Sequence, residues 1–126
     1  MDYEEISKAL IKFRDERHWQ KYHTLPALAR AMSIEAAEVN EHFLWKDSQP
    51  DKELFKNTED IESLKMEIAD TLTYAYYMCE KLGVDPNDIV YEKLQINKKT
   101  ALEILKLVRK YDYERGCSTS NKRSSV

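Results

Sequence analysis

What this chain lacks is turn-making residues. Its 126 positions hold 2 glycines, Gly83 and Gly116, and 3 prolines. A sandwich or barrel needs many tight turns, and Rossmann and P-loop nucleotide sites need glycines where backbone meets phosphate, so these classes are excluded together. Aromatics at 10% and hydrophobic residues at 42% argue against disorder. A helical protein remains. A chain of this length suits one domain and can bury roughly two-thirds of its unfolded surface without disulfide or metal staples.

Apolar spacing marks out four helices. Ile6, Leu10, Phe13 and Trp19 recur at helical spacing from Tyr3 to about Tyr22. Thr24-Leu25-Pro26 is a cap with proline in the first turn, opening a second helix to about Trp45 through Leu28, Met32, Val39 and Phe43. A polar loop, 47–56, precedes a third helix expected to be capped by Thr58 and stopped by Gly83. Asp85-Pro86-Asn87-Asp88 restarts the chain into a fourth helix carrying Ile89, Val90, Leu94 and Ile96, and continuing through Val108. The expected architecture is an all-α, four-helix antiparallel bundle over residues 1–114, followed by a disordered polar and basic tail, 115–126. The apolar stripes exceed what one small bundle needs inside, which points to a homo-oligomer.

The formal charge is −3, with Arg115, Lys122 and Arg123 and no acid in the last twelve residues, so the body carries −6. Such a body lacks the basic face of a nucleic-acid binder. Cys79 and Cys117 are too few and too distant for a disulfide framework or a zinc site. There is no run of 18 apolar residues, and the amino terminus, MDYEEISK, is acidic rather than signal-like. A cytoplasmic protein without membrane contact is expected.

Two polar stripes run where core would otherwise be. Glu35, Glu38, His42 and Trp45 are spaced three, four and three apart, and Glu67, Asp70, Tyr74 and Tyr77 repeat that spacing. A single Glu-x-x-Glu is what solvated helix faces carry. Two matched pairs beside apolar rows are different, because like charges at this spacing repel until a hard cation sits between them. Four carboxylates without cysteine suit Mg²⁺ or Mn²⁺. A di-iron bundle would need two Glu-x-x-His motifs, which are absent.

Phe13-Arg-Asp-Glu-Arg-His-Trp19, Tyr22-His23-Thr24, Ser33-Ile-Glu35-Ala-Ala-Glu38-Val-Asn-Glu41, Phe43-Leu-Trp45-Lys46, Glu67-Ile-Ala-Asp70-Thr-Leu-Thr-Tyr74 and Lys93-Leu-Gln-Ile-Asn97 together resemble the MazG-like all-α nucleoside triphosphate pyrophosphohydrolases. Within them the chain is most similar to the short dCTP pyrophosphatase branch, over roughly residues 3 to 100. The resemblance implies Glu35, Glu38, Glu67 and Asp70 as Mg²⁺ ligands around a triphosphate. It implies Lys93 and Asn97 at phosphate or sugar, Tyr74 on the nucleotide, and Trp19 and Trp45 around the base, with His23 and Lys46 beside them. It also implies a dimer or dimer-of-dimers with sites built from adjacent subunits, and hydrolysis between the α and β phosphates. Glu38 is the expected general base, with Glu41 behind it. The pattern departs from the family where Leu10 stands in place of a histidine found in dCTP-type members, where His18 replaces a commoner acid, and where Lys98-Lys99-Thr100 replaces Arg-Tyr-Pro. Purine or damaged triphosphates and phosphoribosyl-ATP therefore stay open as substrates, and so does a non-catalytic helical interaction module with solvated acids.

Overall fold

The computed structural model describes residues 1–123, with side chains described as far as Gly116. The described residues form helices and no strand: α1 (Tyr3–Glu16), a 3-10 turn (Gln20–Tyr22), α2 (Leu25–Glu41), a second 3-10 turn (Asp51–Glu53), α3 (Thr58–Leu82) and α4 (Pro86–Arg123). Two compact units are present, residues 1–86 and residues 87–126, where the sequence suggests one domain over 1–114. No helix among the described residues is long and apolar enough to cross a membrane.

Side chains close to each start fix the helix ends. Asp2 accepts from the Glu5 N–H at 2.9 Å while Glu5 accepts from the Asp2 N–H at 3.0 Å, a capping box on α1. Thr24 caps α2 through the Ala27 N–H at 3.3 Å, as expected. The cap of α3 is one residue earlier than expected: Asn57, not Thr58, accepts from the Asp60 N–H at 3.0 Å. Asparagine holds a cap better than threonine does, so the helix starts where the stronger cap lies.

Two helices are shorter than their apolar spacing suggests. α1 ends at Glu16 rather than Tyr22, because His18 turns into left-handed backbone at φ +57°. α2 ends at Glu41 rather than Trp45: the His42, Phe43 and Leu44 N–H groups reach back only three residues, and Trp45 lies at φ +67°. Lys46 then ties the following loop down by donating from Nζ to the Leu54 carbonyl at 3.2 Å. In the other direction, α4 runs on to Arg123, past the point where a disordered tail is expected to begin. No proline interrupts it, and Gly116 alone costs a helix only about 1 kcal/mol. Residues 124–126, the end of the expected tail, and the Cys117 thiol lie outside the described residues and side chains.

In the first unit α2 packs along α3, and α1 docks on α3. Leu28, Leu54, Tyr77 and Cys79 are its buried apolar residues. Tyr77 fastens α1 by donating its hydroxyl to the Leu10 carbonyl at 2.9 Å, and burial raises the phenol above its ordinary pKa, which keeps that donor protonated. Ile68 and Leu72, which stand four residues apart on α3 at the spacing of a core row, are 42% and 47% exposed. Within the second unit the apolar row of α4, including Leu94, Ile96, Leu105 and Val108, is exposed as well.

Removing the Tyr77 hydroxyl should cost about 1 kcal/mol, the net worth of one such bond. Tyr77→Phe is therefore expected to lower the melting temperature by several degrees, as read by circular dichroism; an unchanged melting temperature would mean that α1 is held by packing alone.

Candidate active site

Glu35 and Glu38 face Glu67 across the α2–α3 pair. One carboxylate oxygen from each lies within 4.8 Å of the others, a spacing that one cation can span. All three side chains are half-buried. Crowding is legible in their proton affinity. Glu35 is pushed above its ordinary pKa first by burial, then by the charge and hydrogen bonding of Glu38, then by Asp70 and Glu67. Glu67 is raised first by hydrogen bonding with Glu38, then by burial and by the charges of Glu38 and Asp70, with His42 acting in the opposite sense. Each group thus resists becoming the last negative charge in the cluster.

Glu35 Oε2 is buried and has no hydrogen-bond partner. A buried anionic oxygen without a donor is costly, and a hard cation is the partner its chemistry requires. All-oxygen donors, half-buried and crowded, fit Mg²⁺ or Mn²⁺.

A cavity of about 420 Å³ opens against this cluster, sharing Glu35 with it and taking Asp70 into its wall. Its other walls are Leu10, Phe13, Trp19, His23, Thr73, Tyr74 and Tyr77, so α1, the two residues flanking the first 3-10 turn and α3 all contribute. The aromatic rings brace one another. Phe13 meets Trp19 edge-on with centroids 5.7 Å apart, and His23 meets Tyr77 likewise at 4.7 Å. Burial, then Arg14 and Lys81, hold His23 below its ordinary pKa, so its ring is neutral at pH 7. Its Nδ1 is buried without a partner, an unsatisfied polar atom on a residue of the cavity wall. A second, smaller hollow of about 240 Å³ is lined by Glu38, Glu41, His42 and Glu67.

The structure therefore brings Glu35, Glu38 and Glu67 together, places Asp70 near enough for its charge to act on Glu35 and Glu67, and sets Trp19, His23 and Tyr74 with Asp70 around one cavity beside them. Trp45 and Lys46 are elsewhere. The Trp45 ring is 95% exposed beyond the end of α2, and the Lys46 ammonium is engaged by Leu54. The straight stripe through His42 to Trp45 fails because α2 unwinds after Glu41. Lys93 and Asn97 stand four residues apart on α4, in the second unit. Leu10 and Phe13 line the cavity although their spacing marks them simply as helix core, and Tyr77 joins them from the polar stripe that begins at Glu67. Nothing in the sequence marks Arg14, whose largely buried guanidinium pairs with Asp15 at 2.9 Å and Glu80 at 3.4 Å.

Known proteins share this arrangement of sequence and fold. Human dCTP pyrophosphatase 1 is 30% identical over 97 residues, covering 76% of this chain and 56% of that protein. The rat protein of the same name is 29% identical over the same length. The chain thus spans little more than half the length of these curated relatives. The crystal structure of a pyrophosphatase from Archaeoglobus fulgidus superposes with a TM-score of 0.66 at 38% identity, covering 77% of this chain and 89% of that one. The MazG-like family model matches residues 31–112, which include all four clustered acids. By that match, the chain belongs to the MazG-like family.

Proposed function

We propose that this protein is a divalent-cation-dependent nucleoside triphosphate pyrophosphohydrolase, acting in nucleotide-pool housekeeping in the cytoplasm on a dCTP-like substrate. The observation that carries the reading is a junction of two features: three carboxylates within one cation's reach, and an aromatic cavity large enough for a base that takes Glu35 from that cluster and Asp70 beside it into its wall. Relatives named dCTP pyrophosphatase and pyrophosphatase support the same chemistry.

Glu35, Glu38, Glu67 and Asp70 would hold Mg²⁺, which when bound offsets charge on the phosphates and makes a bound water more acidic. A triphosphate brings about four negative charges to an acidic body, so its approach depends on that neutralisation. Glu38 acts on both Glu35 and Glu67 in the cluster and serves as the acceptor of a proton from the attacking water, with Glu41 lining the same hollow. The water attacks the α-phosphorus, the α–β bridging bond breaks, and pyrophosphate leaves. Trp19, Phe13 and Tyr74 hold the base by stacking and edge contacts, and the neutral His23 Nδ1 meets one of its polar atoms.

Lys93 and Asn97 meet phosphate or sugar, an assignment that rests on the resemblance. Trp45 and Lys46 belong in the same scheme to the site of a second copy, and the 95% exposed indole of Trp45 fits that role. The exposed Ile68, Leu72 and α4 rows supply apolar surface for a dimer or dimer-of-dimers.

A panel of ribo- and deoxynucleoside triphosphates with Mg²⁺ tests the reading. The products should be a monophosphate and pyrophosphate without orthophosphate, with a pyrimidine deoxynucleotide turned over fastest. Release of orthophosphate and a diphosphate would overturn the bond assigned to cleavage, and no turnover of any nucleotide would favour an interaction module.

A further inference from the structure

α1 and α3 end in the same way with different residues. At the end of α3 the Gly83 N–H bonds the Glu80 carbonyl and the Val84 N–H bonds the Cys79 carbonyl at 3.0 Å, with Gly83 at φ +68°. At the end of α1 the His18 N–H bonds the Asp15 carbonyl at 3.1 Å and the Trp19 N–H bonds the Arg14 carbonyl at 3.2 Å, with His18 at φ +57°. Both are Schellman closures, whose pivot is left-handed and normally glycine. In α1 the pivot carries a side chain, so the strained angle has to be maintained by its surroundings.

The residue just beyond the pivot supplies those surroundings. A Schellman closure commonly packs that residue against one on the preceding turn. In α1 the two are Trp19 and Phe13, in edge contact at 5.7 Å, and both rings line the cavity. Arg17 covers the Phe13 ring, its guanidinium carbon 3.5 Å from that centroid and 5.8 Å from the Trp19 centroid. The helix stop and the cavity wall are thus one construction.

We propose that His18 is a positioning residue: its left-handed backbone, rather than its imidazole, swings Trp19 back onto Phe13 and so sets the base-facing wall of the cavity. His18 itself is exposed and is not among the residues lining the cavity. Residues tolerant of left-handed backbone keep the wall, and a β-branched residue, which resists that angle most, opens it. The carboxylate cluster on α2 and α3 is untouched by either change. The consequence for nucleotide affinity rests on the proposed function, whereas the placement of Trp19 does not.

The test separates the two. In a Trp45→Phe background Trp19 is the sole tryptophan, and acrylamide quenching without nucleotide reads its shielding. His18→Gly and His18→Asn should quench like the parent, and His18→Val should quench distinctly faster. With Trp45 intact, His18→Val should raise KM about tenfold with kcat within about twofold, the size expected when a left-handed pivot is lost, while Gly and Asn keep the parental KM. If the Val variant does not fold, His18→Ala makes the same comparison with a smaller shift. Equal quenching in Val or Ala and parent would overturn the proposal. So would faster quenching in Gly, since the imidazole would then be what matters, or an unchanged KM in a variant whose Trp19 has been released. Should the parent hydrolyse no nucleotide, the proposed function fails and the quenching comparison still decides the role of His18.

Discussion

Glu67→Gln should abolish turnover and yet raise the melting temperature of the metal-free protein by a few degrees. The two effects have one cause. Glu67 is raised above its ordinary pKa by hydrogen bonding with Glu38, by burial and by the charges of Glu38 and Asp70. An acid whose folded pKa lies above its unfolded value binds more protons when folded, so stability falls as pH rises through that interval and stays lower above it. At neutral pH the metal-free wild type therefore carries a repulsion that glutamine removes. Mg²⁺ should stabilise the wild type because it binds the folded state, and should stabilise the mutant less. Thermal melts at pH 7.5 with EDTA or with Mg²⁺, beside a pyrophosphate-release assay, check both halves. If the acids were a solvated helix face, the substitution would be nearly neutral and Mg²⁺ would act on both proteins alike.

The same carboxylates show how far the sequence can be read. The shared face of Glu35 with Glu38, and of Glu67 with Asp70, is legible because a helix repeats its face every three to four residues. The cavity is only partly legible. Trp19, His23, Tyr74 and Tyr77 announce themselves as polar aromatics, whereas Leu10 and Phe13 look like core in any amphipathic helix. Periodicity itself misplaces Trp45. The apolar pattern continues through Phe43, but hydrogen bonds to the third residue back and a left-handed Trp45 end the helix first. Glycine scarcity fixes the all-α class and yet hides two turns, since His18 and Trp45 take the backbone angle usually left to glycine. Ile68 and Leu72 resemble interior residues because spacing distinguishes a helix's faces without saying which partner covers them.

Glu38→Gln should lower kcat by about 10² to 10⁴, the usual worth of a positioned general base, and excess Mg²⁺ should not restore it. Glu38 shares its cluster with two groups that hold protons longer than free carboxylates do, so the acidic limb of the activity profile should lie above the ordinary carboxylate range. Raising Mg²⁺ competes with those protons and should move that limb to lower pH. In Glu35→Gln, by contrast, the lost charge is chiefly a ligand's, and higher Mg²⁺ should recover a large part of kcat. The comparison needs kcat against pH at several Mg²⁺ concentrations for both variants. Recovery of Glu38→Gln by Mg²⁺ to the same extent as Glu35→Gln would make Glu38 a ligand only and move the base elsewhere, with Glu41 on the same rim as the residue to examine next.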